Sequence, residues 1–72
     1  MDIARGLDDT RGVGIGLNAL AVHTQDLGDL ATARILFEQS LDIWKRLGDR
    51  VVEARTLSNL ANVVKLGEVS GT

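Results

Sequence analysis

The sequence predicts an all-α chain of about three helices folded into antiparallel hairpins, and three observations carry that reading. Apolar residues recur at three- and four-residue spacing through the middle of the chain, where Leu30, Ala33, Phe37, Leu41, Trp44 and Leu47 form one stripe. A Gly-Asp pair stands at each end of that stripe, Gly28-Asp29 and Gly48-Asp49. No proline interrupts the 72 residues, and Leu and Ala outnumber Val and Ile.

Residues 1–6 read as the last turns of a helix, because Ile3, Arg5 and Leu7 match Ile43, Lys45 and Leu47 further on. A first full helix is expected to begin near Thr10, with Asp9 or Thr10 as the N-cap that accepts from the free amides of the first turn. Val13, Leu17, Leu20, Ala21 and Thr24 would then form its buried face. Gly28 ends it, since glycine adopts the left-handed C-terminal conformation without a Cβ penalty. Asp29 starts the second helix and complements its dipole. Leu36 and Ile43 widen the apolar face of that helix so that it can touch two neighbours. On its polar side Asp42 precedes Arg46 by one helical turn, a pair worth a few tenths of a kcal/mol, and Glu38 opposes Asp42 by a similar amount. Asp49 caps a third helix carrying Ala54, Leu57, Leu60, Ala61 and Val64, which Gly67 is expected to end, leaving the last residues frayed. Connections this short force neighbouring helices to run antiparallel.

The balance of charge narrows the partners. A formal net charge of −2 with scattered Lys and Arg argues against nucleic acid or an anionic membrane, both of which reward clustered cations. No apolar run approaches the roughly 20 residues that span a bilayer, and the first residues lack the apolar core of a signal peptide. With no cysteine, disulfides and thiolate ligation are excluded, and a reducing compartment is compatible. The chain reads as cytoplasmic.

Laying the chain on itself so that Asp2 meets Asp42 also aligns Ile3 with Ile43, Leu7 with Leu47, Asp9 with Asp49, Leu17 with Leu57, Leu20 with Leu60 and Ala21 with Ala61. A period of about 40 residues marks a helical repeat array, in which each hairpin buries its apolar face against its neighbours. The residues that carry the pattern are Leu17, Leu20 and Ala21 in the first helix, the Gly28-Asp29 turn, and Leu30, Ala33, Phe37 and Ser40 in the second. In these landmarks the chain resembles the tetratricopeptide repeat in its longer form. The resemblance implies a solenoid fragment, with a full repeat over about 10–47 and a half repeat over about 50–66 within a single unit. The proline that often closes the second helix is replaced by Leu47-Gly48-Asp49, and no second helix completes the half repeat.

The resemblance also implies a non-catalytic module that binds a protein or peptide in the groove lined by the first helix of each repeat, as part of a larger regulatory or scaffold protein. The residues placed there are Ile15, Asn18, Ala19 and Val22 from the first helix and Arg55, Ser58, Asn59 and Asn62 from the third. Asn side chains can pair with an extended backbone and Arg55 can take a carboxylate. The family's carboxylate clamp is not expected, because of its places only Asn59 fits. The alternative is structural: Leu57, Leu60, Ala61 and Val64 point toward a helix the sequence does not encode, and a homodimer would supply it.

Other chemistry finds little support. The run Gly12-Val13-Gly14-Ile15-Gly16 lacks the third glycine and the preceding strand of a dinucleotide loop, and Gly12 and Gly16 instead suggest close approach of another helix. His23 has no ligand partners at metal-binding spacing, so neither metal nor cofactor is expected. Asp8, Asp9, Asp26 and Asp29 lie near turns, and Ser40, Ser58 and Ser70 lack an adjacent base, so no enzyme activity is expected. Phe37 and Trp44 read as core.

Overall fold

Both Gly-Asp pairs turn the chain as expected. The computed structural model describes the backbone of residues 2–70 and the side-chain surroundings of residues 9–68. Its helices are α1 (Asp2–Asp26), α2 (Leu30–Leu47) and α3 (Arg50–Ser70). Gly28 and Gly48 have φ of 90° and 73°, and among the described residues no other has the left-handed conformation. At the first turn the Asp29 N–H reaches back to the Thr24 carbonyl at 3.1 Å and the Gly28 N–H to Gln25 at 2.9 Å. The second turn repeats this with Asp49 to Trp44 at 3.0 Å and Gly48 to Lys45 at 3.2 Å. These paired bonds satisfy carbonyls that the helix end leaves open. Each aspartate then caps the next helix, Asp29 Oδ1 accepting from the Thr32 N–H at 3.2 Å and Asp49 Oδ1 from Val52 at 3.3 Å.

Two expected boundaries are absent. α1 passes through Asp9 and Thr10 without a break, and α3 passes through Gly67. Asp, Thr and Gly lower helix propensity but neither remove an amide nor force a left-handed residue, and with no proline nearby the helix continues. The end expected to fray from Glu68 onward is instead helical through Ser70, while Gly71 and Thr72 and the side chains of Ile3, Arg5, Leu7, Asp8 and Ser70 lie outside the described residues.

α2 lies between the other two helices and its stripe is as read: Ala33, Phe37, Leu41 and Trp44 are buried, and Leu30, Leu36, Ile43 and Leu47 are half-buried. Ala21, Ala33, Phe37 and Val63 form the core, with Leu30, Leu36 and Leu60 packed against it. Asp42 pairs with Arg46 at 3.1 Å on the outer face.

The buried face of α1 is rotated from the expected one. Val13 and Leu20 are exposed, while Gly14, Ala21 and Thr24 are buried. The reason is Trp44. A Cβ on Gly14 would stand 2.8 Å from Trp44 Cζ2 and 3.1 Å from Ile43 Cγ2, so the indole occupies the space a side chain would need. The Trp44 Nε1–H donates to Ser40 Oγ at 2.8 Å, and the Ser40 hydroxyl donates to the Gly14 carbonyl at 3.0 Å. Gly14 is therefore the close-approach glycine; Gly12 and Gly16, expected in that role, have nothing within 4 Å.

Gly14→Ala should therefore cost about 1–3 kcal/mol through overpacking, partly offset by about 1 kcal/mol of helix propensity. Gly12→Ala and Gly16→Ala should each gain up to about 1 kcal/mol, since space is open and their backbone is already helical. Thermal melts of the three variants check this: Gly14→Ala is expected to melt below the parent chain and the other two above it.

Candidate protein-binding face

Two cross-links hold α1 and α3 side by side. Near the α2–α3 turn, Arg11 donates to Asp49 Oδ2 at 2.9 Å, and its guanidinium lies 5.8 Å from the centre of the Trp44 ring. Asp49 thus caps α3 with one oxygen and anchors α1 with the other. The hydrogen bond from Arg11, followed by that from the Val52 amide, holds the Asp49 carboxyl below its ordinary value of 3.8. Further along, Asn18 Nδ2 donates to Thr56 Oγ1 at 3.4 Å. Thr56 is fully buried, and its own hydroxyl donates a hydrogen bond to the Val52 carbonyl at 2.8 Å.

This arrangement settles where the sequence-derived residues stand. Asn18 is half-buried at the seam, and its Oδ1 is buried with no hydrogen-bond partner among the described residues. Ile15, Ala19 and Val22 of α1 and Arg55, Ser58 and Asn62 of α3 are exposed, and Asn59 is half-buried. Among the described residues Arg55 makes no ion pair. Thr56, which the sequence reading passed over, supplies the α3 side of the second cross-link; a hydroxyl one turn beyond Val52 gave no signal distinct from its neighbours.

The other face of α3 is different in character. Leu57 is 44 % and Val64 37 % exposed, and Ala54 and Ala61 are exposed beside them. Leu60, grouped with them from spacing, instead packs against the core. The positions equivalent by repeat on α1 are Gly14, Leu17, Ala21 and Thr24, all buried or half-buried. The same repeat face is thus covered on α1 and open on α3.

Among the described residues no three His, Cys, Asp or Glu side chains gather as a metal site, and no helix is long and apolar enough to cross a membrane. His23 is exposed.

Asp49 gives an acid dependence. A carboxyl whose pKa is lowered by folding contributes stability above its unfolded value and loses it as pH falls through the folded value. Asp49→Asn keeps a capping side chain but removes the charge. It is expected to melt below the parent chain at neutral pH, with the gap closing below about pH 4. Melting curves from pH 7 down to pH 2 measure that gap.

A family model of the tetratricopeptide repeat matches residues 13–68. No curated protein and no solved structure matches the chain.

Proposed function

Because the chain belongs to the tetratricopeptide repeat family, we propose that it is a non-catalytic protein-interaction module that binds an extended peptide or protein segment across α1 and α3. Repeats of this family generally mediate binding to protein partners. The observation that carries the reading is the Asn18–Thr56 bond, which joins the two helices into one face. On that face Val22 offers apolar surface, Asn62 and Ser58 offer backbone-pairing groups, and Arg55 offers a cation. Asn59, half-buried, lines its floor. A full repeat over about 10–47 followed by a half repeat suits a section of a longer regulatory or scaffold array, and the absence of cysteine suits a cytoplasmic setting.

Selection from a displayed peptide library tests this, followed by titration of the selected peptides against Arg55→Ala/Asn62→Ala. Both positions are exposed, so helicity should be unchanged and affinity should fall at least about tenfold, as loss of a charge-assisted hydrogen bond implies. Peptides that bind the variant as well as the parent chain would contradict the proposed face.

A second reading is favoured by the open face of α3. Burying large apolar side chains there is worth about 1.5–3 kcal/mol for each, and a second copy of the chain can supply the cover. Leu57, Ala61 and Val64 would carry this self-association. Leu60 would act only indirectly, because it already packs against the core.

A further inference from the structure

The open face of α3 carries a charge at each end. Arg50, Leu57, Ala61, Val64 and Glu68 follow one another at helical spacing along a single ridge. Arg50 and Glu68 are both exposed, and among the described residues neither makes an ion pair. A parallel copy of α3 laid on this ridge would set arginine against arginine and glutamate against glutamate. An antiparallel copy sets each against its opposite.

We propose that a second copy of this chain covers the ridge with the two α3 helices antiparallel, in the register that places Arg50 of each copy against Glu68 of the other. This rests on the self-association reading and specifies its geometry. In that register Leu57 meets Ala61 and Ala54 meets Val64, so each larger side chain faces a small one, as interdigitated helix packing requires. The helix dipoles agree: Glu68 comes beside the positive N-terminus of the other α3 and Arg50 beside its negative C-terminus. A groove of ≈ 410 Å³ lies alongside, between α2 and α3, with Arg34 and Glu68 among the residues on its walls. Glu53, on the α2 side of the ridge, is carried over the other copy's groove toward its Arg34.

Sedimentation equilibrium of the full chain from micromolar to millimolar concentration tests the proposal, with circular dichroism at each concentration to confirm helicity. The chain is expected to dimerise. Arg50→Glu and Glu68→Arg should each turn two attractive contacts into repulsive ones and weaken the dimer about tenfold. The double variant, Arg50→Glu with Glu68→Arg, should regain most of that loss. As a second measurement, chains with Ala54→Cys mixed with chains with Val64→Cys should cross-link under mild oxidation more readily than either alone. A chain that stays monomeric throughout would overturn both this geometry and the self-association reading. A dimer indifferent to the single charge changes, or cross-linking each cysteine variant to itself, would overturn the antiparallel register and leave self-association standing.

Discussion

The seat of Trp44 on Gly14 sets the relation between α1 and α2, and the placement of α3 follows from it. A bare backbone on α1 lets the indole approach to a distance that a methyl group would prevent. Ser40 then uses both capacities of its hydroxyl, accepting from the indole and donating to the glycine carbonyl. A buried indole N–H without a partner would cost on the order of 1–3 kcal/mol, so the serine makes a tryptophan tolerable there. With the ring fixed, its face lies beneath Arg11, which reaches on to Asp49 at the start of α3. One contact between two helices thus extends into the capping of the third.

A small-against-large pattern recurs through the core. Ala21 and Ala33 are both fully buried and leave room for Phe37, whose ring shares the same cluster as Val63 of α3. Since α2 has a neighbour on each side, both of its apolar flanks are used. α3 has one flank on α2 and another turned outward. That asymmetry leaves Leu57 and Val64 partly exposed on the outward flank of α3. The polar surface made by α1 and α3 lies on a different side of α3 from the apolar ridge, so the two proposed roles draw on different residues.

What the sequence disclosed followed how local each determinant is. The Gly28-Asp29 and Gly48-Asp49 turns were legible because a left-handed residue and the cap after it are specified by adjacent side chains. The stripe of α2 was legible because two-sided burial demands a broad, regular apolar pattern. Along α1, Val13, Ile15, Leu20 and Val22 surround the helix on several sides, and the true contact point, Gly14, has no side chain to register in a hydrophobic pattern. On α3, Leu57 and Leu60 are chemically identical, and only the position of α2 makes one exposed and packs the other against the core. The residues proposed for the binding face follow from their place in the repeat pattern, whereas the bond between Asn18 and Thr56 depends on tertiary placement and has no counterpart in that pattern.

Trp44 is the only tryptophan, so its indole proton reports on the central contact without any substitution. Hydrogen exchange of that Nε1–H, followed by NMR beside the α2 amides, is the most direct measurement. The seat on Gly14 and the bond to Ser40 predict protection comparable with the slowest amides between Ala33 and Trp44, because the proton is released only when α1 leaves α2. Exchange at the rate of a free indole while those amides stay protected would contradict the account, since α2 would then hold its helix without the contact on which the arrangement of α1 and α3 depends.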